Sequence, residues 1–221
     1  MDAAKYRIMG SDYVGVFATA TDKRVFVGAS LSDNNKKMLA DSLHSECVEF
    51  SVSGSNLVGL FSRANSRGIV LSNLTLDYEV EALKKQIPDM NIGVMETSLN
   101  TMGNNILAND KIAIINPDFT QKEAKEIQDL LDVEVISAQI DGFKTVGANN
   151  MLTNRGLVIN NKATEEEKSH WDKITGFNSI RTTANTGSYA IGLCAIANSG
   201  AVVAGENTTG YELARIVDSL E

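Results

Sequence analysis

The chain is short of the residues that most chemistry needs. Among its 221 residues are two cysteines, two histidines, two prolines and one tryptophan. Cys47 and Cys194 make no disulfide framework, and two isolated thiols cannot supply the clustered ligands of a zinc site. No metal and no cofactor is therefore expected. His44 and His170 are the only imidazole bases, each within or near the end of an expected helix. Nucleophilic catalysis needs a nucleophile, a base and an orienting group together, so the two histidines read as surface residues and the thiols as small core residues. Neither a Walker-type nor a dinucleotide-binding glycine fingerprint is present.

Other absences bound the architecture and the setting. No unbroken apolar run approaches the ~18 residues of a membrane span. Two prolines and no low-complexity stretch leave no obvious linker, so one domain over residues 1–221 is expected. The start, Met1-Asp2-Ala3-Ala4-Lys5, lacks the apolar region of a signal peptide, which points to the cytoplasm. A net charge of −8 argues against adhesion to bare nucleic acid but suits docking on a basic protein.

What the chain does have is periodic glycine. Gly15, Gly59, Gly103 and Gly147 stand 44 residues apart, and Gly192 follows 45 later. Such a period signals a stacked array or a closed ring. Around each glycine lies an apolar stretch, then a polar turn (Thr21-Asp22, Asn65-Ser66, Asn109-Asp110, Asn154-Arg155, Asn198-Ser199), then a second apolar run. That order predicts a β-hairpin in each copy. A helix should follow, with Ser32, Thr75, Thr120, Thr164 and Thr208 as N-caps; Thr120 with Glu123 and Thr164 with Glu167 fit the capping box. A third strand closes the first four copies, at Cys47–Val52, Ile92–Met95, Val133–Ser137 and Ser179–Thr183. The fifth copy stops after its helix, while the chain opens on a spare strand near residues 4–9. The expected fold is thus α/β, a five-fold pseudosymmetric β/α propeller-like ring closed by the N-terminal strand. Its copies span about 10–53, 54–97, 98–141, 142–186 and 187–221. Closure would cover sheet edges that otherwise invite aggregation.

The repeated glycines read first as relief of crowding about the axis. The turn asparagines need no function as turn formers, yet a ring would gather Asn65, Asn109, Asn154 and Asn198 on one rim as a polar surface. Asn104-Asn105 and Asn149-Asn150 follow the glycines of copies three and four. At the start of an inner strand, such polar pairs suggest an exposed end.

Several pieces together resemble the archaeal translation initiation factor 6 family. They are Ser98-Leu99-Asn100-Thr101-Met102-Gly103-Asn104 with Asn109-Asp110, Thr145-Val146-Gly147 with Thr153-Asn154-Arg155-Gly156, and Ile196 to Val203 with Thr208-Thr209-Gly210-Tyr211-Glu212-Leu213. The resemblance runs the length of the chain. It implies the pentein fold and a non-enzymatic, monomeric factor. It implies binding to the large ribosomal subunit on its intersubunit face, chiefly through a ribosomal protein of the uL14 type near the sarcin-ricin loop, and steric blocking of subunit association. The contact positions it implies match Leu60, Asn65, Asn104, Asp110 and Asn149, with Arg67, Asn105, Asn109, Asn150 and Arg155 as neighbours; Arg67 and Arg155 could meet rRNA phosphate. The same ring also occurs in guanidine-modifying enzymes, the alternative reading, which place a Cys/His pair in the channel. Family members often carry proline after the second strand. Here only Pro117 keeps it, with Ser72 and Asn160 expected at the equivalent places.

Overall fold

Each 44-residue unit folds as a three-stranded sheet with one long helix, and five such sheets surround a common axis. The computed structural model describes residues 1–221. The inner strands are β2 (Ala18–Ala20), β5 (Ser62–Ala64), β8 (Ile106–Ala108), β11 (Met151–Leu152) and β14 (Ala195–Ala197). Each pairs antiparallel with a middle strand: β3 (Arg24–Gly28), β6 (Gly68–Ser72), β9 (Ile112–Ile115), β12 (Leu157–Asn160) or β15 (Ala201–Gly205). Outer strands β4 (Glu46–Phe50), β7 (Asn91–Met95), β10 (Glu134–Ser137) and β13 (Ile180–Thr182) run parallel to the first four middle strands.

The fifth sheet takes its outer strand from the other end of the chain. β1 (Asp2–Tyr6) pairs parallel with β15, from Asp2 opposite Ala201 to Tyr6 opposite Gly205. The N-terminal amine also meets the Glu221 carboxylate. The strand begins two residues earlier than the expected 4–9, and Ile8 is instead fully buried in the core.

The glycines lie in short helical turns, and not in the strands where the sequence pattern put them. Val14–Val16, Val58–Phe61, Met102–Asn105, Val146–Asn149 and Ile191–Cys194 each form one turn before an inner strand. A single turn is too short to show helical periodicity, so the apolar residues merged with the strand in the sequence. Here the glycine is required by close approach. A Cβ on Gly59 would lie 2.1 Å from the Gly15 carbonyl oxygen, and one on Gly103 1.8 Å from that of Gly59. Gly147 meets Gly103, Gly192 meets Gly147, and Gly15 meets Gly192, so the contacts form a closed circle of five.

The core sits between copies. One buried cluster joins Phe26, Val48 and Phe50 of copy one with Ile69, Leu71, Leu83 and Ile87 of copy two, and the other four repeat the pattern. Each long helix therefore wedges against the preceding copy's sheet. The helices are Asp33–Leu43, Asp77–Gln86, Gln121–Leu131, Glu165–Thr175 and Gly210–Leu220. Ser32, Thr120 and Thr164 cap them as expected. The other two caps fall one residue later, at Leu76 and Thr209. The register is set by a glutamate three residues on (Glu79, Glu123, Glu167, Glu212), which reaches back to the cap N–H. Thr208 instead bonds Asn185, and the Thr75 hydroxyl has no partner.

Candidate functional site

The inner strands give the ring two different ends. At one end lie the helical turns, the loops that lead into them and the N-termini of the long helices. At the other lie the hairpin turns and the helix C-termini. The expected contact residues divide between these ends, and half of them face neither solvent nor a partner.

At the hairpin end, Asn65, Asn109 and Asn198 are buried. Each uses its side-chain oxygen to accept two N–H bonds of its own turn: Arg67 and Gly68, Lys111 and Ile112, Gly200 and Ala201. Their amide nitrogens reach the neighbouring copy. Asn65 donates to the carbonyls of Asn109 and Leu131, Asn109 to that of Thr153, and Asn198 to that of Leu43. The expected exposed asparagine rim is thus an internal hydrogen-bond belt. Thr153, rather than Asn154, holds the equivalent place in copy four, where its hydroxyl accepts from Arg155 and Gly156. A satisfied buried amide of this kind is costly to remove, because its partners cannot turn to water.

Asn154 stands one residue further and helps close the channel mouth. Its amide nitrogen donates to Asp110 at 2.8 Å and, across the mouth, to Asp22 at 2.9 Å. Asp110 accepts from the Ser66 N–H at 2.7 Å. The Arg67 guanidinium donates to the carbonyls of Asp110 and Asp132 and pairs with the Asp132 carboxylate at 3.2 Å. Arg155 donates likewise to the main-chain oxygens of Ser199 and Glu221. Both arginines are exposed, yet both are committed to stapling their turn to the end of a neighbouring helix, where a cation also suits the helix dipole.

The asparagine pairs are not equivalent. Asn104-Asn105 begins one residue after Gly103, whereas Asn149-Asn150 begins two after Gly147. Asn105, Asn149 and Asn150 are buried rather than at an exposed end. Asn105 accepts from the Asn116 amide at 2.7 Å, and Asn150 accepts from Asn160. Asn116, Ser72 and Asn160 therefore share one position, which makes Asn73 and Asn161 the counterparts of Pro117. Asn149 accepts from the Thr145 hydroxyl at 3.0 Å.

Only Leu60 and Asn104 of the expected set lie on the helical-turn end with partial exposure, in equivalent places of adjacent copies. The Asn104 side-chain oxygen is itself buried and has no partner within the chain. Around them the surface changes character. Eight large hydrophobic residues are well exposed, and seven of them belong to this end: Met9, Tyr13, Leu74, Leu76, Tyr78, Tyr189 and Tyr211. Ile174, near a helix C-terminus, is the exception. Tyr189 stacks on Phe143 of the preceding copy, ring centroids 5.2 Å apart. Sequence reasoning missed this concentration; the signal was present, because most of these residues sit just before a predicted helical stripe or just before a repeated glycine.

The helical-turn end is also held firmly. Glu79 accepts from the N–H groups of Ser53 and Gly54, and Glu212 from those of Thr186 and Gly187. Each capping glutamate thus ties a loop of this face to a helix start. Burial pushes the Glu212 carboxyl up, but bonds from Thr183, Thr209 and Gly187 outweigh it and hold the group at about 2. The Cys194 thiol, in the fifth helical turn, is pushed up, mainly by burial. No helix is long and apolar enough to cross a membrane.

Comparison with known proteins bears on the whole chain. The eIF-6 family model matches residues 3–219. The chain is 36% identical over 217 residues to the translation initiation factor 6 of Picrophilus torridus, covering 98% of both. It is 35% identical over 224 residues to that of Thermococcus onnurineus, covering 100% of this chain and 98% of the relative. With that of Methanosarcina acetivorans it shares 36% over 213 residues, 96% of this chain and 95% of the relative. Among solved structures, a dimethylarginine dimethylaminohydrolase in an adduct with S-methyl-L-thiocitrulline superposes with a TM-score of 0.58 at 11% identity, covering 88% of this chain and 89% of that one. At that identity the likeness shows the fold alone, which is the expected pentein ring.

Proposed function

The chain belongs to the eIF-6 family, and from that premise we propose that it is a translation initiation factor that binds the large ribosomal subunit at its intersubunit face. The bound ring excludes the small subunit by bulk. Such a mechanism needs affinity and rigidity, with no bond made or broken. The partner surface is chiefly a ribosomal protein of the uL14 type near the sarcin-ricin loop, and the factor works as a cytoplasmic monomer.

The observation that carries this reading is the asymmetry of the two ends. One end gathers seven of the eight well-exposed large hydrophobic residues among its charged side chains, with its loops pinned by capping glutamates; the other has few exposed apolar groups and is closed by its own bonds. Aromatic side chains on a rigid frame suit a protein partner, since they bury area with little loss of freedom. We therefore assign docking to the helical-turn end, around Leu60, Asn104, Tyr13 and Tyr189. Asn65, Asn105, Asn109, Asn149 and Asn150 support this frame from inside. Asp110, Arg67 and Arg155 hold the opposite end, where the two exposed arginines remain the candidate contacts for rRNA phosphate.

The guanidine-modifying alternative finds less support. An activated cysteine has a lowered pKa, whereas burial moves Cys194 the other way. The test is sedimentation of the purified protein with isolated large subunits at low salt. Comigration with large subunits and not with small ones is expected; protein left at the top of the gradient would refute the proposal.

A further inference from the structure

The axis of the ring carries a charge that the protein does not neutralise. Arg63 is the middle residue of β5. The other copies place Thr19, Leu107, Met151 and Ile196 at this position, so a guanidinium here breaks an otherwise mainly apolar layer. Its side chain reaches across to copies three and four. Nη2 donates to the Gly103 carbonyl at 2.7 Å and lies 3.1 Å from where a Cβ of Gly147 would be.

That single bond leaves most of the guanidinium unmet. Arg63 Nε is buried and has no partner, and the same is true of the Thr19 hydroxyl. Both residues line one axial cavity of about 30 Å³, with Asn150 and glycines 15, 59 and 192 among its walls. Asn150 offers nothing further, since its nitrogen bonds the Val146 carbonyl and its oxygen accepts from Asn160. No carboxylate lines this cavity. Asp22 and Asp110 lie in the next void along the axis, beyond a collar of Ala20, Ala64, Ala108, Leu152 and Ala197.

A guanidinium only donates. Burial draws the Arg63 group down to about 10, so it stays charged at neutral pH. The unfilled demand is thus for acceptors and for negative charge. Space limits what can supply them. A water-sized occupant needs ~10–15 Å³ on this measure, so the cavity admits two or three such bodies and is far too small for a nucleotide.

We propose that this axial cavity binds one small inorganic anion of chloride size, held by the Arg63 guanidinium with the Thr19 hydroxyl as second donor. The ion bridges copies one and two directly, and copy three through the Arg63 bond to the Gly103 carbonyl, and so acts as a lock on closure.

The test uses the whole chain. Its melting midpoint is measured in sodium chloride, sodium bromide and sodium gluconate at equal ionic strength, and crystals grown in bromide are examined for anomalous scattering. A saturable rise of about 2–4 °C in either halide over gluconate is expected, with an anomalous peak beside Arg63. Arg63→Met should abolish the halide dependence. If that variant fails to fold, the wild-type melts and the bromide map decide by themselves. Equal midpoints in all three salts, water without anomalous signal in the cavity, or an undiminished halide response in Arg63→Met would overturn the proposal.

Discussion

The circle of glycine contacts makes a sharp demand on stability. Replacing Gly103 by alanine adds a methyl group 1.8 Å from the Gly59 carbonyl oxygen, 2.9 Å from its carbon and 3.0 Å from the Ser62 oxygen. All three are backbone atoms. Real Cβ contacts essentially never fall below 3.0 Å, so two adjacent helical turns must part by more than 1 Å. The turns belong to a closed ring, so the displacement cannot be absorbed at a free end. Overpacking of this kind typically costs ~1–3 kcal/mol and more where the backbone must move; the upper part of that range, about 3 kcal/mol, is expected for Gly103→Ala. In a chain of this size that lowers the melting midpoint by roughly 6–12 °C. Gly210→Ala is the matched control. Gly210 begins the last helix and a Cβ there meets nothing within 4 Å. Its replacement should leave stability within ~1 kcal/mol of wild type, with any change favourable to the helix. Urea unfolding of the three proteins measures both. A Gly103→Ala protein with a wild-type midpoint would refute the reasoning about a tight ring.

Further expectations follow from other contacts. Glu212→Gln removes a carboxylate held at about 2 against an ordinary 4.5, a difference of about 3 kcal/mol. Because the folded value is the lower one, this stability is present above about pH 4.5 and is lost as pH falls towards 2; stability curves of wild type and variant should therefore converge in acid, and a constant gap would disprove the linkage. Asn109→Ala strands the buried N–H of Ile112 and the half-buried N–H of Lys111 and should cost about 2 kcal/mol in thermal unfolding, whereas an exposed asparagine would cost little. Deleting residues 1–8 removes the five-residue pairing of β1 and the fully buried Ile8, so a loss of ~3 kcal/mol or more is expected together with self-association through the bared edge of β15; an unchanged melt in a monomer would contradict closure. Leu60→Glu and Tyr13→Asp should each weaken large-subunit binding about tenfold, while Lys111→Glu at the hairpin end should leave it within about twofold; the reverse order would move the docking face.

Much of this fold is written in the period of the chain. Glycine spacing, hairpin turns and capping glutamates are local signals, and each produced a recognisable element. The N-terminal strand was legible from a missing partner at the other end. What local signals cannot convey is which side of an element meets solvent. Asn65 and Asn109 look like surface residues in sequence, yet the ring folds a neighbouring copy over them. The helical turns were lost because four residues are less than a detectable period, and Thr75 and Thr208 were misread because the glutamate, rather than the hydroxyl, sets the helix start. Arg63 could have been found by aligning the five inner strands, where it alone brings a charge among Thr19, Leu107, Met151 and Ile196. The docking end was illegible for a different reason: Met9, Tyr78 and Tyr211 are far apart along the chain and come to share one end only when the ring closes.

Subunit joining itself is the most direct measure of the proposed role. Isolated large and small subunits are mixed with increasing amounts of this protein, and light scattering follows the formation of joined ribosomes. The account predicts that joining falls as large subunits become occupied, that it recovers when small subunits are added first, and that Tyr13→Asp blunts the effect. Unimpeded joining at concentrations that saturate the large subunit would contradict it.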